Sequence, residues 1–211
     1  MTMSAETLQQ FYAAMAPWLA LSLLLLGRNP FLSRVRMVGS LLLAFFLLRF
    51  PVEGWSMFAW IRMMEPNPSF TLTGLLGVLL YERLSGKKIF RPEDWNAAWL
   101  VGTLTALLLY PMGLGLTHVD PYAWGWKSAF PYAIAGCAMY LLLWGNRFGI
   151  ILILPLVGSL LHLQESTNLW DALIDPIYGA VSLVAVMMAM HDFSGKLSSA
   201  GQASPSGRDG E

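Results

Sequence analysis

Seven apolar runs, separated by short charged connectors, constrain this chain more than any motif in it. They lie at roughly residues 10–27, 36–57, 69–85, 96–115, 128–145, 148–164 and 170–190. Crossing the hydrocarbon of a bilayer takes about 20 helical residues at 1.5 Å each. The pattern therefore predicts an all-α, polytopic membrane bundle of about seven transmembrane helices, with residues 1–190 as one domain. Composition agrees, because 56% of the residues are hydrophobic and only 12% charged, about half the charged share of a soluble domain. The Ser- and Gly-rich segment 191–211 cannot bury a core and reads as a disordered cytoplasmic tail.

Several function classes drop out at this level. Thirteen basic and thirteen acidic residues leave no net charge, so nothing points to nucleic acid. A single cysteine, Cys137, rules out an internal disulfide framework and a paired-cysteine metal site. The start, "MTMSAETLQQ", has no basic residue ahead of its apolar run, so that run reads as a retained helix rather than a cleaved leader.

Orientation follows from the basic residues, which favour the cytoplasmic side. With seven spans, Arg28, Arg34, Arg36, Arg83, Lys87, Lys88, Arg91, Arg147, Lys196 and Arg208 all share one face. Arg62 and Lys127 fall on the other, and Arg49 falls within the second run. The N-terminus is then outside and the C-terminus cytoplasmic, in a plasma membrane (the inner membrane of a bacterium). Trp55, Trp60, Tyr122, Trp124, Trp126 and Trp170 collect at the outer interface, and Trp95, Trp99 and Trp144 at the inner one. The tight connections at 146–147 and 165–169 predict that helices 5, 6 and 7 are antiparallel neighbours.

Charges inside the runs mark the candidate binding residues. In "LLRFPVEGW" Arg49 and Glu53 are four apart, which on a continuous helix places them on one face within ion-pair reach. Pro51 between them removes a backbone donor and kinks the helix. An intramembrane arginine costs at least about 2.5–3.5 kcal/mol, so Arg49 is expected to pair with Glu53 or Asp175, or to hold an anionic head group. Asp171 and Asp175, also four apart, are expected on one face of helix 7, Asp175 a turn or more inside it with Arg49 or Lys127 as partner. These four residues are the candidate substrate contacts.

The same outer ends hold the candidate catalytic residues. "LTHVDPY" contributes His118 and Asp120, and "LLHLQES" contributes His162 and Glu165 at i and i+3. Two histidines, each near a carboxylate, have the chemistry of a general acid–base pair or of a divalent-metal site. Glu65 belongs to this outer cluster as well. No metal-site motif is present and no cofactor is expected. "HVDPYAW" and "LIDPIYG" share an Asp-Pro-aromatic pattern, as turns and helix starts do. On the inner side "YERLSGKKIFRPEDW" reads as a basic anchor with carboxylates ahead of helix 4.

Seven spans with an outer amino terminus resemble the rhodopsin layout, but the seventh run has no lysine for a Schiff base. Membrane hydrolases with three zinc-binding histidines are a second resemblance, and their histidine motif is not present. Three classes remain. The leading expectation is a non-catalytic subunit or assembly factor in cell-envelope biogenesis, handling lipid or lipid-linked glycan, with membrane lipids and another membrane subunit as partners. The alternatives are an enzyme acting on a lipid-linked substrate at the outer leaflet, and a transporter of small solutes or lipids.

Overall fold

A computed structural model describes residues 4–27, 34–116, 118–127 and 129–202. Regular structure in it is almost entirely helical, as apolar runs require when each backbone N–H and C=O must find its partner within its own segment. Arg28 and Arg208 lie outside the described residues, as does the last part of the tail.

Local signals set the helix ends. Helix α1 (Ala5–Leu26) starts where the Ser4 hydroxyl accepts from Thr7 N–H at 3.3 Å. Helix α4 (Phe70–Ser85) starts likewise at Ser69, which accepts from Leu72 N–H at 3.1 Å, and stops at the left-handed Gly86. In α5 (Pro92–Gly113) proline occupies the first turn, where its missing N–H costs nothing. Helices α6 (Ala129–Leu143) and α7 (Phe148–Leu160) form an αα-hairpin through Gly145.

Two of the seven expected helices are interrupted. The second, expected over 36–57, ends at Arg49 as α2 (Arg34–Arg49). Phe50 precedes a proline and is pushed out of the helical region. The chain then makes a small hairpin, β1 (Pro51–Val52) against β2 (Trp55–Ser56), around Glu53 and Gly54. Both turn residues have positive φ, 50° and 83°, as a two-residue hairpin turn demands. A separate short helix, α3 (Met57–Met64), follows, capped by Ser56.

The seventh helix, expected over 170–190, breaks within its first turns. A five-residue α8 (Leu169–Leu173) ends at extended Ile174, and α9 (Pro176–Gln202) begins after Asp175. Asp175 precedes Pro176, which disfavours continuing α8 through it. Helix α9 then runs without a break into the Ser- and Gly-rich segment, as far as Gln202.

This break alters the expected neighbours. Helix α9 packs chiefly on α5, while α7 lies against α6, α4 and α8. The expectation that helices 6 and 7 pair directly is corrected, because α8 and the Ile174–Asp175 link carry the chain across the end of the bundle. Gly102 permits the close α5–α9 contact: a Cβ there would stand 2.2 Å from Ser182 Oγ and 2.8 Å from the Tyr178 ring. The core gathers around Trp170, Leu173, Ile174 and Tyr178 against Ala98, Ala106 and Leu109 of α5 and Ile151 and Leu152 of α7.

Helices α1 and α9 are each long and apolar enough to cross a membrane, over Glu6–Leu26 and Pro176–Ser194; α6 and α7 are apolar but shorter. Outward faces are apolar as well, with Leu104 and Leu107 on α5, Met139 and Leu143 on α6, and Met187 and Met188 on α9 all exposed.

Loops gather at two ends of different character. At the basic end the buried Asp94 carboxylate accepts from Arg91 N–H and Arg147 N–H, both at 2.8 Å, and from the Arg91 guanidinium. Burial opposes ionisation of Asp94, but these donors outweigh it and hold its carboxyl below the usual range. Glu82 Oε1 takes Ile89 N–H at 2.7 Å and Phe90 N–H at 2.8 Å, and the Arg147 guanidinium donates to Ile89 C=O. The connector read as a basic anchor is thus also a folded knot tying α4, α5 and α7 together.

Candidate functional site

The other end is acidic, and its parts converge on one cavity of about 950 Å³. The break before α9 gives the cavity its floor. Asp175, 2% exposed, accepts from Tyr178 N–H at 2.7 Å, capping α9, and from Ser69 N–H at 2.8 Å, where α4 begins. One carboxylate therefore ties the starts of two helices.

Asp171 lines the same cavity from α8. It accepts from Tyr122 Oη at 2.9 Å and Ser166 Oγ at 2.5 Å. Tyr122 belongs to a 3₁₀ turn (Tyr122–Trp126) anchored on α8, with Asn168 donating to Tyr122 C=O at 3.0 Å and Trp170 to Pro121 C=O at 2.8 Å. Burial, together with the hydrogen bond to Asp171 and its charge, pushes the Tyr122 phenol up to about 12. It remains a neutral donor across the physiological range.

The third acidic wall residue is Glu65, in the connector between α3 and α4. This connector is clamped at Pro68, whose carbonyl accepts from Tyr12 Oη at 2.7 Å and Gln164 Nε2 at 2.8 Å. Burial raises the proton affinity of Glu65, and the charges of Asp175 and Asp171 add to it; a backbone hydrogen bond from Asn67 offsets part of the rise. Glu65 also borders a second void, an apolar groove of about 390 Å³ between α1, α4 and α9 and beside α3.

The sequence candidates divide. His118 and Asp120 are exposed on the cavity wall, with Asp120 Oδ1 accepting from Tyr122 N–H at 3.0 Å. His162 and Glu165 are elsewhere. Helix α7 stops at Leu160, so they do not share a helical face, and Glu165 pairs with Arg62 at 2.6 Å. His162 is exposed in the left-handed region, at φ 51°, and its carbonyl accepts from Gln9. The four do not form one acid–base set.

Arg49 and Glu53 lie outside the cavity. With the helix ended, Glu53 sits at the hairpin tip and Arg49 is exposed, its guanidinium 5.4 Å from the Phe45 ring centroid. Among the described residues Arg49 has no ion-pair partner. The expected pairing with Glu53 or Asp175 is corrected: Pro51 breaks the register it needed, and Asp175 is engaged by backbone donors. Asp171 and Asp175 do reach one cavity, but through the α8–α9 break instead of one helical face.

Tyr110, Tyr122 and Ser166 were not picked out as site residues by sequence; only Tyr122, inside an Asp-Pro-aromatic segment, carried a signal. The Tyr110 hydroxyl is buried on the cavity-lining residue with no hydrogen-bond partner among the described residues. Among those residues no three of His, Cys, Asp and Glu are grouped to hold a metal ion, and none of those lining the cavity is a lysine or arginine. The arrangement is rich in acceptors and suited to a polar group that donates hydrogen bonds. Comparison with protein-family models, curated proteins and solved structures finds no match to this chain.

Proposed function

We propose that this chain is a seven-span protein of the plasma membrane, N-terminus outside, that binds the polar head of a lipid or lipid-linked molecule at the outer leaflet. In this reading it serves cell-envelope biogenesis as a non-catalytic subunit or assembly factor. The apolar outward faces and the two long apolar helices support the membrane setting, and the distribution of lysine and arginine supports the orientation. The observation that carries the function is the acidic-end cavity, large enough for a head group and walled by Glu65, Asp120, Asp171 and Asp175. Three of these carboxylates are occupied by bonds that hold the fold, which favours a rigid binding site over a reacting one.

Extraction from native membranes in mild detergent, followed by native mass spectrometry, tests this. A lipid-sized adduct and a co-purifying membrane subunit are expected. A bare, monodisperse chain after gentle extraction would contradict the reading.

One observation favours catalysis as a second reading: burial and the neighbouring Asp175 and Asp171 charges raise the proton affinity of Glu65, the direction in which a general acid is tuned. Glu65→Gln separates the two. Loss of the adduct supports binding, whereas a retained adduct that accumulates unprocessed supports catalysis.

A further inference from the structure

The cavity has a neighbouring void that its polar wall alone does not suggest. Glu65 borders both voids, and the walls run on from one to the other along the chain, from Asn67 to Pro68 and from Pro176 to Ile177. Beyond Glu65 the groove is lined almost wholly by aliphatic side chains, among them Ala20, Ile61, Leu72, Leu79 and Val181. Along α4 it extends from Leu72 to Leu79, seven residues or about 10 Å at 1.5 Å each, which is about a third of the hydrocarbon thickness. A polar chamber beside an apolar slot of that depth, with Glu65 on the wall of both, has the outline of one amphiphile lying along the bundle.

The charge on the chamber wall restricts the head. Glu65, Asp120, Asp171 and Asp175 line it, and among the described residues no lysine or arginine does. An anionic head would meet like charge on several sides. An ammonium group meets acceptors.

We propose that cavity and groove together hold a single amphiphile, with an amine-bearing cationic head in the cavity, a hydrocarbon chain in the groove and Glu65 at the junction. This rests on the head-group reading above and adds the charge of the head and the path of the chain.

The full-length protein in phosphatidylcholine nanodiscs is titrated with dodecylamine, dodecyl maltoside and dodecyl phosphate, which share a chain and differ in head. Bound amphiphile is counted by native mass spectrometry. Dodecylamine is expected to bind at least about tenfold tighter than dodecyl phosphate. Glu65→Gln should weaken the amine by about tenfold and leave the maltoside unchanged. Ala20→Trp, which fills the groove, should weaken every probe, and Val181→Trp on the opposite wall repeats the test should the first variant fail to fold. Equal binding of the three heads, with loss in the groove variants, overturns the cationic head while the head-group reading stands. Amine binding indifferent to both groove variants overturns the chain path. If no probe binds and native membranes yield no adduct, the head-group reading falls as well.

Discussion

Replacing Asp175 by alanine tests the structural role of the α8–α9 break. Its carboxylate accepts two backbone N–H groups, from Ser69 and Tyr178, at 2.8 and 2.7 Å. Both donor residues are buried, at 0% and 1% exposure, so neither N–H can turn to water. Stranding a buried donor costs about 1–3 kcal/mol, so alanine should cost about 2–6 kcal/mol. Asparagine keeps one acceptor oxygen and should cost about half as much, 1–3 kcal/mol. Against a total stability of about 5–15 kcal/mol these are large losses. For a chain of this length they correspond to a melting temperature lowered by roughly 5–20 °C for alanine. The assay is a fluorescence melt in detergent together with abundance in the membrane fraction. The order wild type, Asp175→Asn, Asp175→Ala is expected in both. Alanine melting with the wild type, or asparagine proving worse than alanine, would refute the reasoning.

Other changes follow the same physics. Asp94→Ala removes the acceptor of Arg91 N–H and Arg147 N–H at the basic end; both donor residues are exposed, so water can replace it and the cost should be about 1–3 kcal/mol, read by the same melt. Because its pKa is lowered on folding, the contribution of Asp94 is complete above the ordinary carboxylate range and is lost as pH falls through the lower folded value, which an acid titration of the melt detects. Tyr122→Phe should cost about 1 kcal/mol. The Tyr122 pKa is raised, so its contribution is complete below the unfolded phenol value near 10 and is lost as pH rises towards about 12; the alkaline limb of the melting profile should move less in the variant. Arg49→Ala and Glu53→Ala should act additively within about 0.5 kcal/mol, since the hairpin separates them, and a double-mutant cycle on melting temperature checks it.

Most of the bundle could be read from the apolar runs because hydrophobic length is a property of contiguous residues. The runs ending in Gly27, Ser85-Gly86 and Gly145 stop where expected. What escaped was the consequence of single prolines. Pro51 and Pro176 each sit within an apolar stretch that hydropathy treats as continuous, and proline inside a membrane helix is compatible with a kink or with a break. Pro17, Pro111 and Pro155 lie inside helices that continue; Pro51 and Pro176 do not. Each of these two has a polar neighbour able to take over backbone bonding: the Glu53-Gly54 turn at one, Asp175 with its two N–H donors at the other.

The candidate site was legible in the same partial way. Asp171 and Asp175 stood out as acids in an apolar run, and His118 and Asp120 as polar groups at a helix end. All four line the cavity. Pairing by i and i+3 or i+4 failed at His162 with Glu165 and at Arg49 with Glu53, because each relied on a helix that ends before its second residue. The joining of Glu65 to both cavity and groove depends on the clamping of Pro68 by Tyr12 and Gln164 from distant parts of the chain, which no local pattern encodes.

The central claim is that the acid-walled cavity opens outside the cell. Single-cysteine labelling on intact cells measures this directly, with Cys137 replaced by serine. A cysteine at Val119, exposed on the cavity wall, should react with a membrane-impermeant thiol reagent added to intact cells. A cysteine at Lys88, exposed in the basic connector, should react only after lysis. Labelling of Lys88→Cys from outside with Val119→Cys protected would contradict the account.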